Sequence, residues 1–138
     1  MRRGILVYNP ASGGRDRTAQ MAAIAERARS RGVTLSLFAT EAPRHATELV
    51  RAHLAEGPDL VAVAGGDGTV AEAAAAIAGT DVPLALLPAG TTNVVAREYG
   101  LGRTAEEAAE LLTSEATRTL TTWPSAGRTS IIGTGVGF

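Results

Sequence analysis

The chain has 138 residues, about the size of one domain, with 45% hydrophobic and 20% charged residues, as is usual for soluble globular proteins. The sequence shows neither the roughly 18 consecutive apolar residues of a membrane span nor the apolar core of a signal peptide. Cysteine is absent and histidine occurs twice, which excludes disulfides, zinc-thiolate sites and a cysteine nucleophile. We therefore expect a cytoplasmic protein.

The charges nearly balance, with 13 basic and 14 acidic residues and a net charge of −1. This balance gives no electrostatic reason to expect bulk nucleic-acid binding. All the basic residues are arginine, whereas the P-loop of Walker A nucleotide hydrolases requires a lysine. That class is excluded, and any phosphate site here has to use backbone amides and arginine.

Short apolar runs alternate with stretches of helical length along most of the chain. The runs are nearly continuous, as in strands that are buried on both faces of a sheet. The order predicts an α/β fold with a doubly wound, mostly parallel sheet and helices on both faces. Strands are predicted at residues 4–8, 33–39, 60–64 and 82–87, and helices at residues 16–30, 40–56, 69–78 and 104–112, with a short helix ending near residue 100.

The last segment has a different pattern. Residues 118–123 and 129–136 are predicted to be two strands around a turn at residues 124–127, with no helix between them. The end at residues 135–138 is apolar and has no cap or polar tail. We expect the protein to continue beyond Phe138.

Three glycine-bearing loops, at residues 9–14, 65–69 and 90–93, each follow a predicted strand. In open α/β sheets ligands bind at this carboxyl edge. Glycines permit positive φ and a close approach of the backbone to a ligand, while a following helix points N–H groups at it. Three such loops at one edge predict a phosphate site.

The loop at residues 65–69 reads Gly-Gly-Asp-Gly-Thr. Since Asp67 alone would repel a phosphate, it suggests either a bound Mg²⁺ or a substrate hydroxyl whose proton it accepts. A tight turn capped by Thr69 with Glu72 explains the same residues, and both interpretations can hold together. For the other two loops an ordinary turn into a helix also stays open.

Other charged or titratable residues give weaker signals. His45 and His53 are too far apart for a metal pair on one helix, and we expect them to be solvated or half-buried. Arg27, Arg29 and Arg31 close a predicted helix, where cations favour the dipole. Contact with acidic lipid is the alternative for this cluster.

Several of these segments resemble the motifs of the diacylglycerol kinase catalytic domain family, which includes bacterial lipid kinases and has sphingosine and ceramide kinases as relatives. They are Asn-Pro-Ala-Ser-Gly at residues 9–13, Gly-Gly-Asp-Gly-Thr-Val-Ala-Glu at residues 65–72 and the run from Leu87 to Glu98. Thr40 with His45-Ala46, and residues 132–138, resemble further steps of the same pattern. The resemblance runs through the whole chain in the family's order.

The resemblance implies a Rossmann-like nucleotide-binding domain at residues 1–120, as in NAD kinases and diacylglycerol kinases. Residues 121–138 would begin a truncated, β-rich C-terminal domain. The implied activity is ATP-dependent phosphorylation of a lipid hydroxyl, such as that of diacylglycerol, with Mg²⁺ and at the membrane surface. Such an enzyme is a transferase of phospholipid metabolism, and a homodimer is left open.

The resemblance also assigns roles to residues by their position. Asp67 would be catalytic, beside the transferring phosphate, where it helps to position Mg²⁺ or the acceptor hydroxyl, and Glu72 would orient that loop. The implied ATP-binding residues are Asn9, Pro10, Ala11, Ser12, Gly13, Thr40, Gly65, Gly66, Asp67, Gly68, Thr69, Val70, Ala71, Glu72, Gly90, Thr91 and Asn93.

The sequence departs from the family's pattern at two carboxylates. Val94 and Thr121 stand where many members have an acidic residue. A non-catalytic, nucleotide-binding regulatory protein therefore stays open as an alternative. An NAD kinase-like enzyme is a second alternative, although residues 90–93 lack the acidic Asn-Glu loop that would favour it.

Overall fold

The computed structural model describes residues 1–11, 16–88, 105–113, 123–125 and 128–130. Its strands are β1 (Arg2–Tyr8), β2 (Val33–Ala39), β3 (Leu60–Gly65), β4 (Leu84–Pro88), β5 (Trp123–Ser125) and β6 (Arg128–Ser130). Its helices are α1 (Thr18–Ser30), α2 (His45–Leu54), α3 (Asp67–Ile77) and α4 (Ala105–Thr113).

Strands β1 to β4 form one parallel sheet in the order β2-β1-β3-β4. From β1 the chain crosses to β2 on one side and then returns past β1 to β3 on the other. This reversal creates a topological switch point between the carboxyl ends of β1 and β3. Strands β5 and β6 form a separate antiparallel pair.

Helices cover both faces of the parallel sheet, and each face has its own apolar core. Right-handed crossovers in opposite directions place their helices on opposite faces of a sheet. One core joins the sheet to α1 and α4, and includes Leu6, Met21, Ile24, Ala108 and Leu112. The other joins it to α2 and α3, and includes Val7, Val50, Val63, Val70 and Ala73. The predicted doubly wound α/β fold is confirmed.

The end of α1 is tied to the first turn of α4 by ion pairs. Glu106 accepts from Arg27 at 2.8 Å and also pairs with Arg31. Arg29 pairs with Glu26 at 2.7 Å within α1, and this hydrogen bond lowers the pKa of Glu26. Each arginine of the α1 cluster thus forms an ion pair with a glutamate. The cluster is therefore not a surface of unpaired positive charge, which contact with acidic lipid would use.

Three helices begin at other residues than the sequence predicted, and α1 begins at Thr18, two residues later than predicted. Helix α2 begins at His45 and not at residue 40, because Ala42 precedes a proline, which disfavours helical geometry, and Arg44 has a φ of +69°. Pro43 thus lies before the first turn of α2. Helix α3 begins at Asp67, two residues earlier than predicted, with Gly66 as its N-cap.

Smaller differences concern the strands. β4 begins at Leu84, two residues later than predicted. Pro124 and Ser125 belong to β5, where the sequence predicted the start of a turn, since both pair with β6. The short helix predicted to end near residue 100, and most of the predicted last strand, lie outside the described residues.

The chain is tightly packed where β3 passes into α3. Among the glycines of the described segments, Gly65 leaves the least space for a Cβ atom. A Cβ placed on Gly65 would lie 2.7 Å from Cβ of Thr69, a distance that side chains do not tolerate. Gly68, in contrast, has nothing within 4 Å of the corresponding position. Only a glycine at residue 65 therefore lets α3 begin this close to the end of β3.

We predict opposite effects on stability for alanine at these two glycines. Gly65→Ala forces a clash and should lower the free energy of unfolding by about 1–3 kcal/mol. Gly68→Ala adds a better helix former in open space, so it should be neutral or stabilising by up to about 1 kcal/mol. Urea unfolding followed by far-UV circular dichroism measures both, and equal midpoints for the two variants would contradict the packing described.

Candidate functional site

The loops that follow β1 and β3 are neighbours at the switch point. The amide of Asn9 donates to the carbonyl of Ala64 at 3.0 Å, which continues the pairing of β1 with β3 by one residue. Asn9 and Gly66 therefore leave the sheet side by side. The structure thus brings together two of the three loops that the sequence predicted at this edge.

Asn9 holds the first residues of the loop that follows β1. Oδ1 of Asn9 accepts from the amide of Ala11 at 3.0 Å, the geometry of an Asx turn. The carbonyl of Pro10 accepts from the amide of Arg17 at 2.8 Å, which closes the loop against the start of α1. Ser12 and Gly13, two of the predicted ATP contacts, lie outside the described residues.

Asp16 organises the entry into α1. Its Oδ1 accepts from the amide of Thr18 at 2.9 Å, and this bond lowers the pKa of the Asp16 carboxyl. The carboxylate thus satisfies an N–H group that the helix leaves unpaired at its start. The role of Asp16 is to fix where the loop ends.

Thr40 joins the same edge from the other side of β1. Its amide donates to the carbonyl of Tyr8 at 2.8 Å, one residue beyond the end of β2. Thr40, Asn9 and Gly66 thus follow three adjacent strands in the order β2-β1-β3. β4 ends at Pro88 on the same edge, but Gly90, Thr91 and Asn93 lie outside the described residues.

The turn from β3 into α3 presents the start of a helix at the switch point. Gly66 is extended, with φ −76° and ψ −179°, and its carbonyl accepts the first helical bond from Val70 at 3.1 Å. The N–H groups of a helix's first turn have no partner within the helix and favour anions. Asp67, half-buried, lies in this first turn.

The glycines of the β3–α3 turn do not have the positive φ that the sequence led us to expect, so that prediction is wrong. None of Gly65, Gly66 and Gly68 has a positive φ. Gly65 instead provides room for Thr69, while Gly66 and Gly68 have no atom within 4 Å of the place a Cβ would occupy. Their backbone is thus uncovered at the helix start, which is what a close approach of phosphate requires.

The predicted capping box is also wrong. Thr69 lies in the first turn of α3 and not at its N-cap, which is Gly66, a residue with no side chain to cap the helix. Oε1 of Glu72 accepts from the amide of Arg44 at 2.8 Å, on a different loop. A tertiary partner thus replaces the local one that the sequence suggested, and no spacing signal could have revealed a pair so distant along the chain.

The remaining predicted ATP contacts on α3 differ in how far they are buried. Val70 is fully buried in the core between α3 and the sheet, so its side chain does not reach the loops. Ala71 is half-buried on α3. Of the predicted contacts on α3, the backbone of the first turn and Asp67 lie at the switch point.

Both histidines are half-buried, as predicted. Nδ1 of His45 accepts from the amide of Glu41 at 2.9 Å. The ring of His53 stacks on Phe38 with centroids 3.9 Å apart. Each therefore has a local structural partner.

Within the described part of the chain, no three His, Asp or Glu side chains are grouped as metal ligands. Mg²⁺ bound with a nucleotide usually takes only one or two carboxylates, because phosphate oxygens and water complete its coordination. Asp67 beside an anion-favouring helix start fits that requirement. No helix in these same segments is both long and apolar enough to cross a membrane.

Comparison with known proteins gives the relationships of the chain. Residues 3–123 match the profile of the diacylglycerol kinase catalytic domain. The chain is 46% identical over 94 residues to a diacylglycerol kinase of Mycobacterium tuberculosis, covering 67% of this chain and 30% of that protein. It is 33% identical over 105 residues to the Bacillus subtilis diacylglycerol kinase, covering 75% of this chain and 35% of that protein.

A solved structure shares the fold. The crystal structure of a diacylglycerol kinase from Bacillus anthracis superposes with a TM-score of 0.75 at 29% identity, over 93% of this chain and 47% of that one. The chain spans about a third of the length of the curated relatives it matches. With the profile match over most of its length, the chain belongs to the diacylglycerol kinase catalytic domain family.

Proposed function

We propose that the complete protein is an ATP-dependent lipid kinase that phosphorylates the hydroxyl of a diacylglycerol-like lipid, and that residues 1–138 contribute its nucleotide-binding part. The observation that carries this proposal is Asp67 in the first turn of α3, at the β1/β3 switch point. Membership of the family supports the reaction class. The names of the relatives support diacylglycerol as the class of acceptor.

The phosphates of ATP would lie against the start of α3. Uncovered backbone at Gly66 and Gly68, together with the helix dipole, offers a site for negative charge that needs no lysine. The loop after β1 would form the adjoining wall, since Asn9 is bonded to the end of β3. Thr40 would border the site from β2.

Asp67 would act on the transfer itself. Phosphoryl transfer depends mainly on positioning and on stabilisation of charge. The Asp67 carboxylate would hold the acceptor hydroxyl or accept its proton as the lipid oxygen attacks the γ-phosphate, while the bond between the γ-phosphorus and the bridging oxygen breaks and ADP leaves. Bound Mg²⁺, held by Asp67 and phosphate oxygens, would supply charge neutralisation there.

The acceptor determines where this enzyme works. A diacylglycerol-like lipid resides in a membrane, so we propose a cytoplasmic protein that acts at the membrane surface. The arginine cluster of α1 gives no support for lipid contact at that point, because it is paired with glutamates.

For the complete protein, Asp67→Asn should lower kcat by roughly 100-fold or more while the affinity for Mg-ATP stays within about tenfold. The reason is that asparagine keeps the size of the side chain but cannot act as a base and has no negative charge to attract Mg²⁺. Turnover of diacylglycerol with radiolabelled ATP measures kcat. Near-normal turnover by the variant would remove Asp67 from the mechanism.

Gly68→Ala should weaken Mg-ATP binding by more than Asp67→Asn does, by about tenfold or more, because its methyl group would occupy space that the phosphates need. The substitution itself fits the folded chain, so a loss of affinity with an unchanged unfolding midpoint identifies the ligand's position. Calorimetric titration of the complete protein measures the affinity. Unchanged affinity would show that the turn does not receive the phosphates.

The 138-residue chain alone should bind Mg-ATP with a Kd near 1 mM, about −4 kcal/mol, and should phosphorylate neither diacylglycerol nor sphingosine. It spans only about a third of the curated relatives, and transfer needs the acceptor positioned opposite the nucleotide. Titration with Mg-ATP measures the binding, and a radiolabel assay measures the phosphorylation of the two lipids. Robust turnover by this chain would contradict the two-domain mechanism.

The same assays on the complete protein separate the alternatives. ATP binding without transfer to any lipid would favour a regulatory protein. Transfer to NAD in place of diacylglycerol would favour an NAD kinase-like enzyme.

A further inference from the structure

We propose that Glu72 is a positioning residue, whose carboxylate holds the β2–α2 loop, residues 40–44, in place against α3 for the nucleotide. This inference rests on the proposed function, since it concerns the same site. It gives Glu72 a task other than contact with ATP or orientation of its own turn. Four contacts of the described residues carry the argument.

The first contact is the hydrogen bond between the two elements. Oε1 of Glu72 accepts from the backbone amide of Arg44 at 2.8 Å. Glu72 is half-buried on α3, whereas Arg44 is the N-cap of α2. The bond therefore satisfies an N–H group at the start of α2 with a charged acceptor from the neighbouring helix.

The conformation of Arg44 shows why such an acceptor is required. Its φ is +69° and its ψ −3°, the left-handed region that residues other than glycine seldom adopt. Among the described residues it is the only non-glycine with a positive φ. Such a conformation persists only where the surroundings hold it, and the Glu72 carboxylate is bonded to the amide of this same residue.

A second bond ties α2 to the same residue of α3. Oγ1 of Thr47 donates to the backbone carbonyl of Glu72 at 3.1 Å. This bond uses the main chain of Glu72, so it survives any change of the side chain. Thr47 therefore offers a control that perturbs α2 against α3 without touching the Arg44 anchor.

The loop itself is fastened at each end. The amide of Thr40 bonds to Tyr8 of the sheet, and the amide of Glu41 bonds to the ring of His45. The remaining fastening, at Arg44, is the one that reaches α3. Asp67 and Glu72 lie on one helix, about 7.5 Å apart along its axis, so the Arg44 anchor fixes Thr40's loop relative to the proposed phosphate site.

The test uses steady-state kinetics of the complete protein with Glu72→Ala, Glu72→Gln and Thr47→Val. Glu72→Ala should raise the KM for ATP about tenfold, which is the low end of the effects seen when a group that supports a binding residue is removed. The change in kcat should be smaller, and the KM for lipid should not change. Glu72→Gln keeps a carbonyl oxygen for the Arg44 amide and should rescue most of the loss. Thr47→Val should leave the KM for ATP near the wild-type value.

A double variant distinguishes an anchor from a direct ligand. Arg44→Gly removes the cost of positive φ, so Glu72→Ala with Arg44→Gly should bind ATP more tightly than Glu72→Ala alone. If the carboxylate contacted ATP or its metal, neither the glycine nor Glu72→Gln would rescue. That outcome, or a Glu72→Ala variant with an unchanged KM for ATP, would overturn the inference.

Amide hydrogen exchange separates this inference from the proposed function. The Arg44 amide should be protected in the wild-type protein and in Glu72→Gln, and should exchange faster in Glu72→Ala at equal global stability. If the wild-type protein does not use Mg-ATP, the proposed function fails whatever the exchange result. If ATP is used normally and Arg44 exchanges alike in all three proteins, only the inference fails.

Discussion

At Gly65 the chain passes from β3 into α3 without room for a side chain, because Thr69 of the following turn already occupies that space. This contact sets where α3 begins and hence where the N–H groups of its first turn lie. Were the helix to start farther from the sheet, Asp67 would no longer lie beside the loop that follows β1. The candidate site thus depends on one steric constraint at a residue that carries no chemistry.

Around this point the site is assembled mostly by the backbone. Asn9 continues the pairing with β3 and Thr40 continues the pairing with β1, so the three loops inherit the spacing of the sheet. The side chains that matter are few: Asn9 shapes its own loop, and Glu72 connects α3 to the loop after β2. Such a site is preorganised by the sheet, and the half-buried carboxylate of Asp67 lies in the first turn of α3.

The sequence predicted the sheet well for a physical reason. β3 is buried throughout and is a continuous apolar run, so its start falls at the predicted residue. β2 lies at the edge of the sheet, where apolar and polar residues alternate, and this period of two marks its predicted bounds. Pro43 could have indicated that α2 does not begin at residue 40, because the residue before a proline disfavours helical geometry. The left-handed Arg44 could not be predicted, because its amide is held by Glu72, a partner distant along the chain. Thr69 with Glu72 matched a local capping pattern, but tertiary bonding of Glu72 took precedence. The glycines were recognised as special, whereas their reason was space and not positive φ.

The central claim is that the start of α3 receives the phosphates of ATP. A crystal structure of the complete protein with Mg²⁺ and a non-hydrolysable ATP analogue tests it most directly. We expect phosphate oxygens at about 3 Å from backbone amides of residues 66–69, with Asp67 facing the γ-phosphate or its metal. Phosphates bound elsewhere, with none in contact with the start of α3, would contradict this claim.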